Sequence, residues 1–141
     1  MKKRGEINIG IANYLYSNSK NILTNSNNNN LNSDNIKHII IGRWYYGLYL
    51  IAKNYLIENN VCTDDISNFH HKTNENAHIY SIWHRIGMKL KSYNDIIQGE
   101  ELARLREYYE YSGILCQQID FDNAERIFNE IYEIFRDFDL L

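Results

Sequence analysis

The sequence predicts an all-α protein, an almost entirely helical bundle, and three observations carry that reading. Its 141 residues contain no proline and only seven glycines, so the commonest helix breakers are nearly missing. Several long segments place apolar residues at three- and four-residue steps, the period of a helix with one buried face. No segment shows sustained two-residue alternation closed by Asn-Gly or Asp-Gly, which a hairpin would require. A mass of 16.8 kDa suffices for one hydrophobic core, so residues 1–141 read as a single domain without internal repeats.

Five helices are expected. The first spans about 6–23, with Ile7, Ile11, Leu15, Ile22 and Leu23 as its apolar stripe. Residues 24–35, TNSNNNNLNSDN, offer almost nothing to bury and side chains that compete for backbone hydrogen bonds, so they read as a flexible asparagine-rich connector. Ser33 or Asp34 can cap the second helix, which continues to about Asn59. From Ile39 to Leu56 it is apolar on nearly every face and should be the central helix. Gly42 and Gly47 cost about 1 kcal/mol each relative to alanine in a helix, so they should mark close packing. A third helix at about 74–91 carries Ile79, Ile82, Trp83, Ile86 and Leu90. The fourth, about 100–118, buries Leu102, Leu105, Tyr109, Leu115 and Cys116. Asp122 and Glu125 form a capping-box pattern for the fifth, whose stripe runs from Ala124 through Ile127, Phe128, Ile131, Ile134 and Phe135 to Phe138.

Composition excludes several classes. The most apolar stretch, 39–57, contains Arg43 and Lys53, each costing about 2.5–3.5 kcal/mol at a bilayer centre, so no membrane span is expected. A basic start without an unbroken apolar core does not fit a secretory signal, and Cys62 and Cys116 are too few for a disulfide framework. A cytoplasmic protein is expected. Net charge is −3, but residues 1–99 carry +4 and residues 100–141 carry −7, so nucleic acid should avoid the exposed face of the last helix. The excess of Asn, Ile, Lys and Tyr fits an AT-rich genome.

The five histidines, His38, His70, His71, His78 and His84, show no HExxH spacing, and no metal site or cofactor is expected. His70 and His71 read as solvated loop residues. Phosphate-cradling glycine motifs and a GxSxG elbow are absent, which leaves arginines and tyrosines. Arg43, inside the most apolar helix, needs a carboxylate, a cavity or an interface. With Tyr46 on the same face it can hold a phosphate and stack a base; the alternative is an ion pair with Glu107 or Glu110. Arg106, beside Tyr108, Tyr109 and Tyr111, can reach phosphate oxygens or pair with Glu110 four residues on.

Gly42-Arg43-Trp44-Tyr45-Tyr46-Gly47-Leu48-Tyr49 resembles the second-helix signature SRxYYAxF of small prokaryotic HEPN-domain proteins. Lys72-Thr73 with the later His78-Ile79-Tyr80-Ser81-Ile82-Trp83 resembles that family's KTH-containing entry to helix three, with extra residues before His78. Leu105-Arg106-Glu107-Tyr108-Tyr109-Glu110-Tyr111 resembles its LRxxADY segment, and residues 122–138 its closing helix. The resemblance implies a four-to-five-helix up-and-down bundle that commonly homodimerises. It also implies a metal-independent endoribonuclease or toxin of a toxin-antitoxin, CRISPR-linked or other antiviral defence system, with a nucleotidyltransferase antitoxin or defence-complex partner. The alternative is a non-catalytic module that binds nucleotide, RNA or a partner protein.

The family's RxxxxH motif is RxxxxY here, from Arg106 to Tyr111, and no arginine is followed by histidine four to six residues later. Under the resemblance, Arg106 stabilises the phosphorane, Tyr111 positions the 2′-hydroxyl and His78 is the candidate base. Arg43, Tyr46 and Tyr109 are the expected RNA- or nucleotide-binding residues.

Overall fold

A computed structural model describes residues 1–19, 33–65 and 69–141. The chain runs through α1 (Lys2–Ser17), α2 (Ser33–Glu58), a 3-10 turn (Glu75–Ala77), α3 (Ile82–Lys89), α4 (Tyr93–Ile96), α5 (Gly99–Tyr111) and α6 (Gln118–Asp137). Among the described residues there is no strand, only isolated bridges pairing His70 with Ser81 and Asn74 with Ile79. The protein is therefore an all-α bundle. No described helix is long and apolar enough to cross a membrane.

α2 is the axis. Ile36, Ile40, Ile41, Trp44, Tyr45, Leu48, Ile51, Ala52 and Leu56 are all buried, so several faces of this helix are covered. It packs most extensively against α1, and also against α3, α5 and α6. The residues expected to form a connector at 24–35 lie outside the described residues up to Asn32, and α2 begins at Ser33.

α1 starts at Lys2, four residues earlier than its sequence pattern predicts, and presents a different face. Gly5, Asn8, Ile9 and Ala12 are buried, whereas Ile7 and Ile11 are 52% and 39% exposed. Close approach explains the rotation: a Cβ on Gly5 would lie 2.7 Å from the Gly47 carbonyl oxygen, and one on Gly47 only 2.8 Å from that of Gly5. The two helices meet backbone to backbone, and small residues decide the interface. Farther along, Tyr16, Trp44, Phe121 and Phe128 stack in sequence at centroid separations of 4.9–5.6 Å from Tyr16 through Phe121 and Trp44 to Phe128, tying α1, α2 and α6 together.

The third expected helix is broken. His78 takes a left-handed φ of 55° after the 3-10 turn, and α3 begins only where Ser81 caps it by accepting from the His84 N–H. Thr73 Oγ1 accepts from Ser81 N–H and His70 carbonyl from Ile82 N–H, so residues 70–81 fold back on themselves. The fourth and fifth helices also differ from the pattern. α5 ends at Tyr111 and Gly113 turns with φ 72°, leaving Leu115 outside the helix and 53% exposed. α6 starts four residues before Asp122, whose carboxylate accepts from Gln118 rather than capping the helix. Phe138, expected on the buried stripe, is 47% exposed beyond the end of α6.

Candidate functional site

A concavity of about 530 Å³ opens where α1, α2 and α5 converge. Its α2 wall carries Arg43 and Tyr46 from one stripe and His38 and Gly42 from the next, the spacing that puts i and i+4 on one side. Arg4 and Asn8 close it from α1, and Arg106 and Glu110 from α5. Gly42 does not mark the close packing expected of it: a Cβ there would meet only Arg106 Cγ, at an ordinary contact distance of 4.0 Å, whereas Gly47 does abut Gly5 and Ile9.

Among the described residues Arg43 has no carboxylate partner. Its Nη1 donates to Asn8 Oδ1 at 2.9 Å, and Asn8, itself buried, donates from Nδ2 to the Arg4 carbonyl at 2.8 Å. Glu107 pairs instead with Lys72 at 3.1 Å, and Glu110 approaches Arg106 at 3.8 Å. The cavity lining thus holds three guanidiniums against one carboxylate, an excess of positive potential in a partly desolvated recess.

Arg106 is the most enclosed of these cations, with its side chain 18% exposed. Its guanidinium lies over the rings of Tyr45 at 5.0 Å and Tyr46 at 5.8 Å, and its Nε is buried without a hydrogen-bond partner. Behind it, the buried Tyr45 hydroxyl meets His71 Nδ1. Burial pushes Tyr45 above its usual range, so it stays protonated and donates to His71. Burial, then the Arg106 charge, hold the His71 pKa below that of a free histidine, which keeps its ring neutral and able to accept. His71 is therefore no solvated loop residue: it is half-buried, 4.7 Å from the Tyr49 ring, and it fixes the platform on which Arg106 rests.

The predicted residues divide. Arg43, Tyr46 and Arg106 share the cavity, with Tyr46 43% exposed and free to offer a ring face. Tyr111, 75% exposed, lies on a separate shallow surface with Lys72, Arg104 and Glu107. His78, exposed at the end of the 3-10 turn, lines neither hollow. The expected trio of Arg106, Tyr111 and His78 is not assembled within the chain, because the left-handed turn at His78 replaces the helix that would have carried it inward. Tyr109 is 3% exposed; its hydroxyl donates to Asp120 and accepts from Gln117 N–H, so it has no free face for a base. Burial and the Asp120 carboxylate push its pKa up to about 12.

Arg4, Asn8, His38 and His71 are the residues that sequence reasoning passed over. His38 lies one helical turn before Gly42, a spacing visible once α2 is recognised. His71 follows a residue paired in a bridge, so alternation turns it toward Tyr45. No family model, curated protein or solved structure matches the chain.

Proposed function

We propose that this protein is a HEPN-like, RNA-targeting protein and a metal-independent endoribonuclease, working as a homodimer in a toxin-antitoxin or antiviral defence setting. The observation that supports this most is the cavity lined by Arg4, Arg43 and Arg106 with Tyr46 at its edge. Guanidiniums match phosphate oxygens bidentately, and an exposed tyrosine stacks a base without demanding its identity. That combination fits a single RNA strand.

Cleavage by the 2′-hydroxyl forms the O2′–P bond and breaks P–O5′, so it needs a group that takes the 2′ proton, a proton returned by that group or by water to the leaving 5′-oxygen, and a cation at the equatorial oxygens of the phosphorane. Arg106 and Arg43 fill the last role. For the first, the lining supplies His38, histidine being the side-chain type suited to proton exchange near neutral pH. His38 thus takes the place of His78 in the proposal, and Tyr111 drops out of it. Arg106→Ala should abolish cleavage of a single-stranded RNA, assayed in excess chelator, while leaving helicity by circular dichroism unchanged; unaltered cleavage rules the site out.

The non-catalytic reading has one observation in its favour, the separation of Tyr111 and His78 from Arg106. Under it the wild type leaves every RNA intact, yet Arg106→Ala still weakens RNA binding. A growth assay with and without a neighbouring nucleotidyltransferase gene tests the toxin-antitoxin setting.

A further inference from the structure

A second basic hollow lies elsewhere on the molecule. Ser81 caps α3 so that Ile82, Trp83, Ile86 and Gly87 turn into the core. The other side of that helix then carries His84, Arg85, Met88 and Lys89, which with Tyr80 and Val61 line a groove of about 430 Å³. Val61 lies just past Glu58, where α2 ends, and Glu58 is fifteen residues or about 22 Å of helix rise beyond Arg43; the two hollows share no lining residue.

Three features distinguish this groove. No carboxylate lines it, and among the described residues the side chains of Arg85 and Lys89 make no ion pair. Both His84 Nδ1 and Arg85 Nε are buried without a hydrogen-bond partner, donors or acceptors that folding leaves unmatched. The Tyr80 and His84 rings lie 4.7 Å apart at 34°, and Tyr93 meets the His84 ring edge-on at 5.2 Å, which holds the imidazole in place. Cations, an unmatched polar atom on each of two neighbours, and planar rings beside Met88 and Val61 are thus brought together. On α5 and α6, by contrast, the exposed arginines are paired: Arg104 with Glu101, Arg126 with Glu130, Arg136 with Glu133.

We propose that this groove binds a phosphorylated ligand with a planar ring, a nucleoside monophosphate unit, its phosphoryl group on Arg85 and Lys89 and its ring beside Tyr80 and His84. The volume lies within the span of small-ligand sites, and an arginine fork with a lysine four residues on suits one tetrahedral anion. The unit can be a free nucleotide or the phosphorylated end of an RNA.

The test is isothermal titration of the full chain with adenosine 5′-monophosphate, and separately with a ten-nucleotide RNA carrying or lacking a 5′-phosphate. Saturable one-to-one binding of the mononucleotide is expected, or a gain in RNA affinity from the 5′-phosphate, either one weakened at least tenfold by Arg85→Gln and severalfold by Lys89→Gln, an exposed position where folding is not at stake. Inorganic phosphate should compete. Arg43→Gln, in the other cavity, should weaken RNA binding as a whole yet leave within twofold both the affinity for adenosine 5′-monophosphate and the gain that a 5′-phosphate confers on the RNA, which separates failure here from failure of the RNA-cleavage proposal. Binding of the mononucleotide identifies a free nucleotide as the source, and binding only of the phosphorylated RNA identifies a strand end; either supports the site. Absence of both saturable mononucleotide binding and a 5′-phosphate-dependent gain in RNA affinity, equal values in the Arg85 and Lys89 variants, or loss of mononucleotide binding in Arg43→Gln overturns it.

Discussion

Arg43 and Tyr109 show how differently two residues of one candidate set can fare. Arg43 was visible as a guanidinium in an apolar helix, but the burial cost expected of it does not arise: it is exposed, bonds Asn8 and lines the rim of the cavity. Tyr109 resembled its neighbours Tyr108 and Tyr111 in sequence, and only its position on α5 buries it against Asp120. Tyr109→Phe should therefore cost about 1–3 kcal/mol in chemical denaturation by removing the hydrogen bond to the half-buried Asp120 carboxylate, with RNA affinity unchanged. His71 gives a pH test. Its folded pKa is depressed, so the stabilisation it contributes is complete above the unfolded value of about 6.5 and is lost as pH falls below that value toward the folded one. Thermal scans of the wild type should show melting temperature falling more between pH 7.5 and 5 than in His71→Asn, which retains an acceptor for Tyr45 but cannot titrate. Parallel curves for the two proteins would contradict the neutral-acceptor role.

At the scale of elements, α6 was legible because its apolar residues recur at the helical period, and α2 because an unbroken length of more than 20 residues is apolar on nearly every face, as a central helix must be. α1 was not. Its buried face is made of Gly5, Asn8 and Ala12 along with Ile9, so a search for bulky apolar residues picked Ile7 and Ile11 on the wrong side. The break at His78 was hidden for a related reason: tertiary hydrogen bonds from Thr73 and His70 set it, and neither has a local pattern. Gly47, by contrast, announced itself as a contact. Gly47→Ala should destabilise the protein by about 1–3 kcal/mol, since overpacking against Gly5 and Ile9 outweighs the roughly 1 kcal/mol gain in helix propensity. Equilibrium denaturation would show this directly, and a stabilised variant would mean that α1 sits farther from α2 than described.

On the scale of the whole molecule, the uneven charge of the chain acquires a location. The +4 of residues 1–99 contributes Arg4 and Arg43 to the cavity and Arg85 and Lys89 to the α3 groove, while most of the −7 that follows lies along α5 and α6. The exception is Arg106, delivered by an otherwise acidic helix to the one place where α1 and α2 present two more arginines. That convergence links residues 102 positions apart, from Arg4 to Arg106, and so could not be read from any local pattern; Arg43 and Arg106 were each visible alone, and Arg4 was not. RNA affinity should fall steeply with salt, and each of Arg43→Gln and Arg106→Gln should flatten the slope of log affinity against log salt by up to about one for a single-strand phosphate contact.

The most direct measurement is a double-mutant cycle on RNA affinity at fixed salt, comparing wild type, Arg43→Gln, Arg106→Gln and the double variant with one unstructured oligoribonucleotide under conditions that block cleavage. If both guanidiniums grip the same phosphate group, each single change weakens binding and the pair is non-additive by about 0.5 kcal/mol or more. Strictly additive losses, or single variants that bind as the wild type does, would show that no shared phosphate is held between α2 and α5.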